Sequence, residues 1–217
     1  MKALIMQGPG SLQVDDVPTP VRKSGEALLQ VRYVGLCGTD LNSYRGRNPL
    51  VSYPRIPGHE VAATIAEIDS GSALPAGTHV TLSPYTNCGN CAACHNGRYN
   101  ACQFNQTLGV QRDGALAEYI SVPVERLYPA KLELRELGLV EPLTVGCHSV
   151  GRARVSAADT VAIFGCGGVG LGAVAASAFR GAKTIAIDAI ASALHSTNCK
   201  CRVKFPAEDS SRRVTFE

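Results

Sequence analysis

With 217 residues, 45% of them hydrophobic and 18% charged, the chain has the make-up of a folded protein with one large or two modest domains. A net charge of +3, thinly spread, excludes nucleic acid and anionic membranes as electrostatic partners. No apolar run reaches the roughly 18 residues that span a bilayer, and MKALIMQGPGSLQVDD turns polar too early for a signal peptide, so a cytoplasmic protein is expected.

In chain order, residues 1 to about 130 read as short strands broken by turns. Ala27–Val34, Val61–Ile68, His79–Leu82 and Leu116–Val122 show partial alternation between Gly, Pro or Asn flanks. This spacing predicts a compact, β-rich, barrel-like domain over residues 1–150. The segment 85–105 has no periodicity and needs something to clamp it. Glu136–Ala153 reads as a helix kinked near Pro142. Thr160–Phe164 is a buried-type strand, Gly165–Gly170 a glycine-rich turn, Val169–Phe179 an Ala-rich helix and Thr184–Asp188 a second strand. That β–α–β unit, residues 151–188, is the start of a parallel sheet. Residues 189–217 show no strand and only a weak helical pattern at Ile190–His195.

Nine cysteines are many for a reducing compartment, where clustered thiols serve more often as metal ligands than as disulfides. Cys88, Cys91, Cys94 and Cys102 fall within fifteen residues in the spacing C-x2-C-x2-C-x7-C. Four thiolates so placed can close tetrahedrally on one Zn2+ with no open position, which makes a structural site. Backbone N–H groups and Arg98 are available to offset the net charge of about −2. An iron–sulfur cluster uses similar spacings. A nucleic-acid-binding zinc ribbon is a second alternative, although Arg98 and His95 are its only basic candidates.

Four further donors are dispersed over three motifs. Cys37 lies in GLCGTD directly after a predicted strand, His59 and Glu60 in IPGHE before another, and Glu141 ahead of Pro142. Singly, each has an ordinary reading as a core thiol, a turn histidine or a solvated carboxylate.

Together, GLCGTD at 35–40, PGHE at 57–60, the quartet, DGALAEY at 113–119, VEPL at 140–143 and GCGGVG at 165–170 resemble the medium-chain zinc-dependent alcohol dehydrogenases. VEPL, with glutamate where many alcohol dehydrogenases have cysteine, resembles their polyol, sugar and sugar-acid branch. The resemblance implies a β-rich GroES-like catalytic barrel followed by an incomplete α/β Rossmann domain. It implies two Zn2+ per chain and NAD, a small alcohol, polyol or sugar-acid substrate, and full-length relatives that are homo-oligomers. Cys37, His59 and one or both of Glu60 and Glu141 would hold a catalytic zinc with one position open. One thiolate and one carboxylate leave such a site neutral, which suits a Lewis acid that lowers the pKa of an alcohol before hydride leaves for the nicotinamide. Thr39 would relay the departing proton, and Asp40 would orient the ligand histidine. Both also read as a turn-capping pair. Two positions depart from the family: Asn42 replaces a histidine that passes protons outward, and Ala63 replaces the last glycine of GHExxG.

In GCGGVG, Gly165 makes the tight turn, Gly167 admits the pyrophosphate and Gly170 allows close helix–strand packing. Gly168 and Val169 open the helix whose N-terminus faces the phosphates. Asp188 ends the next strand, where a carboxylate accepts from ribose hydroxyls and repels a 2′-phosphate, which favours NAD over NADP.

A dinucleotide fold needs about six strands, and sequence of that type gives way at about Ala189. A truncated or frame-shifted product is therefore expected, with 189–217 divergent and Cys199 and Cys201 as stray thiols. Sheet edges and an apolar face would then stand exposed. Two functions follow: an active zinc- and NAD-linked oxidoreductase of secondary alcohols, or a catalytically inactive zinc-binding fragment of one. Arg45, Arg47 and Arg55 lie near the metal motifs, where they can meet a sugar acid or phosphate, or simply be solvated.

Overall fold

A computed structural model describes residues 1–190 and the backbone of the strand at 201–204. The chain divides into two compact units, Met1–Glu141 and Pro142–Glu217.

The first unit opens with a hairpin of β1 (Lys2–Gly8) and β2 (Ser11–Asp16). Its centre is a five-stranded antiparallel sheet of β3 (Glu26–Gly35), β4 (Glu60–Glu67), β5 (His79–Leu82), β6 (Tyr119–Pro123) and β7 (Leu127–Pro129), in the order β6-β3-β4-β5-β7. One face packs inward through Leu29, Val61, Ile65, Val80, Ile120 and Val122, all buried. In β6 the alternation is clean, with Ile120 and Val122 inside. Ala63, where the resembling family has glycine, is fully buried in this cluster, so its methyl group fills core space.

Helix α1 (Gly38–Tyr44) begins at Cys37 and is closed by a capping box: the Asp40 carboxylate accepts the Cys37 N–H at 2.9 Å. The segment expected to be a shapeless loop contains one helical turn, α2 (Ala92–His95), and a 3-10 turn at Tyr99–Ala101.

The helix expected over 136–153 is two helices, α3 (Leu134–Leu137) and α4 (Val140–Arg152), broken at Gly138 and Leu139. Pro142 does not kink it. It lies in the first turn of α4, where a backbone N–H has no partner within the helix. Glu141 is consequently helical.

In the second unit β8 (Thr160–Phe164), α5 (Gly168–Phe179) and β9 (Lys183–Asp188) form the expected β–α–β, with β8 and β9 parallel. The expectation of a strandless tail is corrected by β10 (Cys201–Lys204), which pairs with β9 in parallel and gives the order β10-β9-β8. The sheet therefore has three described strands rather than two. The helical pattern beyond Ile190 and the side chains of Cys199 and Cys201 lie outside the described residues. Among the described residues no helix is long and apolar enough to cross a membrane.

Candidate metal and cofactor sites

The quartet is gathered by two short turns. Cys91 caps α2 and Cys94 lies within it, while Cys102 follows the 3-10 turn. The four ligating sulfurs lie within 4.8 Å of one another. Cys91 Sγ stands 3.5 Å and Cys88 Sγ 4.0 Å from Cys94 Sγ. A tetrahedron with Zn–S arms of about 2.3 Å has edges of about 3.8 Å, so the separations fit one ion. Several bridged irons would hold the thiolates further apart.

Backbone N–H groups of Cys88 and Phe104 point at Cys102 Sγ, and that of Asn90 at Cys88 Sγ, each at 3.4 Å. The cluster is thus equipped for anionic sulfur. Backbone N–H bonds from Cys94 and Gln103 bring the Cys91 thiol down to about 6. Burial, with the hydrogen bond to Cys91, pushes Cys94 up to about 11.

The second cluster brings distant residues together. Gly35, at the end of β3, pairs with Glu60, at the start of β4, which places Cys37 beside His59 and Glu60. Their ligating atoms also lie within 4.8 Å of one another. The approach depends on Gly35, because a Cβ there would stand 2.1 Å from Glu60 Oε2.

Asp40 is buried and joins the two ligand loops: Oδ2 accepts from Cys37 N–H, and Oδ1 accepts from Gly58 N–H at 3.1 Å. Its Oδ1 is 3.8 Å from His59 Nδ1, a buried atom that makes no hydrogen bond among the described residues. DGALAEY supports the loop from below. Gly114 and Leu116 donate to Ile56 and Pro57 carbonyls at 2.7 and 2.9 Å, and a Cβ on Gly114 would stand 2.4 Å from Gly58 O.

The electrostatics suit a cation. A hydrogen bond with His59 holds the Cys37 thiol below its ordinary value. Burial draws His59 toward neutrality, but the bond to Cys37 and the Asp40 charge outweigh it and raise the imidazole overall. Burial raises both Glu60 and Glu141. Glu141 feels the charges of His59 and Glu60 but is not among the residues whose ligating atoms lie within 4.8 Å of one another, so of the four expected ligands three are gathered. Tyr85, which carries no sequence motif, hydrogen-bonds Glu141 and is itself raised by burial and by that carboxylate. Thr39 and His59 line a cleft of about 420 Å³ together with Tyr85, Asn42 and Arg47. Such a size suits a small molecule.

In the second unit the glycine loop has the form a pyrophosphate requires. Gly165 has φ +89°, and a Cβ on Gly170 would stand 1.7 Å from Gly165 O. Cβ atoms at Gly167 and Gly168 would meet nothing within 4 Å, which leaves an open cradle before the 12-residue α5. Asp188 Oδ2 accepts the Cys166 N–H at 2.7 Å and Oδ1 the Ile190 N–H at 2.8 Å. The Cys166 bond foremost holds its carboxyl below the ordinary value. The Ile190 and Ala189 N–H groups act in the same direction.

The cluster of thiol, imidazole and carboxylate at the β3–β4 junction, the thiol quartet and the glycine-rich β–α–β unit are two candidate metal sites and a candidate dinucleotide site. The chain belongs to the alcohol dehydrogenase GroES-like domain family, which it matches over residues 23–132. It is 35% identical over 213 residues to L-galactonate-5-dehydrogenase of Escherichia coli K12, a match covering 97% of this chain and 62% of that protein. It is 39% identical over 194 residues to sorbitol dehydrogenase of Bacillus subtilis, covering 86% of this chain and 55% of that one. Its fold is similar, at a TM-score of 0.85 and 28% identity, to an alcohol dehydrogenase of E. coli CFT073 complexed with NADH; 96% of this chain and 63% of that chain are covered. The chain thus spans 55 to 62% of the length of these two relatives.

Proposed function

We propose that the chain carries the metal centres and the first cofactor-binding unit of a zinc-dependent oxidoreductase that transfers hydride between NAD and a secondary alcohol of a polyol, sugar or sugar acid. The observation that carries the reading is the meeting of Cys37, His59 and Glu60, with donors within 4.8 Å, beside a cleft that Thr39 also lines. Residues 1–150 form the catalytic domain in this reading, 151–188 begin the NAD-binding domain and 189–217 diverge.

Cys37, His59 and Glu60 would hold the catalytic zinc, with Glu141 alternating with or joining Glu60. Cys88, Cys91, Cys94 and Cys102 would hold the structural one. When bound, zinc supplies a Lewis acid and NAD the hydride acceptor. Thr39 passes the alcohol proton along the cleft, and Asp40 holds the two ligand loops in register. Gly165, Gly167, Gly168, Val169 and Gly170 take the pyrophosphate, and Asp188 takes the ribose hydroxyls. All seven cysteines with described side chains are free, which fits a reducing, cytoplasmic setting.

A second reading is zinc binding without turnover by these residues alone, since the chain spans 55 to 62% of the length of the two relatives. Metal analysis and NADH fluorescence with polyols and aldonates test both. Two zinc ions per chain with NADH formation are expected of the first reading. Two zinc ions without NADH identify the second, and no zinc overturns both.

A further inference from the structure

The cleft beside the Cys37–His59–Glu60 cluster differs in its polar lining from one built for a neutral polyol. A free hydroxyl group both donates and accepts, so a polyol site needs acceptors as well as donors. Among the described residues no carboxylate lines the cleft; its polar side chains include Arg47, Asn42, Asn48 and Gln111. Asn48 is committed at both ends, donating to Ser43 Oγ and accepting from Leu50 N–H, each at 3.1 Å. Gln111 spends its oxygen on Thr107 N–H at 2.9 Å, which leaves its NH2 group as a donor. Tyr85 is engaged with Glu141. What remains available is weighted toward donors, with a guanidinium among them.

Of the three nearby arginines, Arg55 is bound to Asp113 at 3.0 Å and to Ser52 at 2.9 Å. Arg45 does not line the cleft. Arg47 does, and among the described residues its guanidinium has no ion pair and no hydrogen bond. A planar fork of donors with no partner among the described residues, in a cleft whose described lining holds no carboxylate, matches a carboxylate or phosphate.

We infer that Arg47 is a specificity-determining residue that takes the anionic terminus, carboxylate or phosphate ester, of an open-chain sugar derivative whose hydroxyl lies against His59 and Thr39. The inference rests on the proposed function of that cleft. Calorimetric titration of the zinc-loaded chain with gluconate, glucitol 6-phosphate and glucitol tests it without requiring turnover. At least one anion should bind more tightly than glucitol, and which one does so separates carboxylate from phosphate. Arg47→Gln should weaken that anion about fivefold, a loss limited by the exposure of Arg47, and should leave glucitol unchanged. Arg47→Lys should retain part of the preference, and Arg45→Gln all of it. The preference should fall as salt rises. Unchanged anion binding in Arg47→Gln overturns the inference alone, as does equal binding of all three ligands by the unaltered chain. No binding of any of the three overturns the reading of the cleft as well.

Discussion

The quartet at Cys88–Cys102 and the cluster at Cys37, His59 and Glu60 each bring their ligating atoms within 4.8 Å, yet different things hold them in place. Around the quartet, among the described residues, the buried side chains packed together are Cys91, Cys94 and Cys102 themselves, with Cys88 and Ala93 beside them. The lobe has almost no apolar core of its own, so its ligands and its packing are the same atoms. The second cluster sits where β3 meets β4, against a sheet core that includes Leu29, Val61, Ile65 and Val80. Its frame is packed by apolar side chains, and the candidate ligands occupy the rim. In the proposed function the first arrangement would make metal a part of folding, and the second would make it a part of chemistry.

The largest expected effect comes from removing metal. Chelation should abolish hydrogen-exchange protection across residues 88–104 while β3, β4 and β5 keep theirs, since structural zinc contributes on the order of 10 kcal/mol to such lobes. Retained protection across the lobe would erase the contrast. Next is His59→Ala. It should lower zinc from two ions per chain to one and cut any NADH formation by about a thousandfold or more. Exchange in the quartet lobe should not change. A lobe that loosened in this variant would mean that the two centres are coupled.

Gly35→Ala probes the rim more gently. The new methyl group would meet the end of the Glu60 side chain at 2.1 Å, and that end can swing away. Thermal stability should therefore stay within a few degrees while affinity at the second centre drops about 10- to 100-fold, measured by competition with a chromophoric chelator. A large fall in melting temperature with unchanged zinc affinity would assign Gly35 to packing alone.

The same contrast decides how much could be read from the sequence. The quartet was legible because all its donors lie in one short segment, and the distance between sulfurs follows from two-residue spacers. Cys37, His59 and Glu60 were legible only through resemblance, because the Gly35–Glu60 pairing that unites them is a long-range event. Tyr85 was not legible, since its role comes from contact with Glu141 across more than fifty residues of chain. β2 was missed because its run is short: Leu12 and Val14 alternate with polar residues, but both are exposed and bury no face. Pro142 misled because proline breaks a helix interior but is tolerated in the first turn, and only the position of the helix start distinguishes the two. β10 lies in a polar tail as a parallel neighbour of β9, and its four residues are too few to form a pattern.

Asp40 offers the finest test of how the rim is held. Its two oxygens accept N–H bonds from Cys37 and from Gly58, one residue before His59, so a single carboxylate sets the spacing between two ligand loops. Asn in its place keeps one acceptor and turns an NH2 group toward the other N–H. In a residue only 3% exposed, that leaves a buried donor unpaired and costs about 1–3 kcal/mol. The loops should separate slightly, and zinc affinity at the second centre should fall about tenfold, while the zinc held by the quartet is unaffected. Asp40→Glu, which keeps the charge but lengthens the side chain, should lose affinity as well, because the spacing is what the short carboxylate supplies. Full affinity in the glutamate variant would show that charge alone matters and that Asp40 acts on His59 through its field across 3.8 Å.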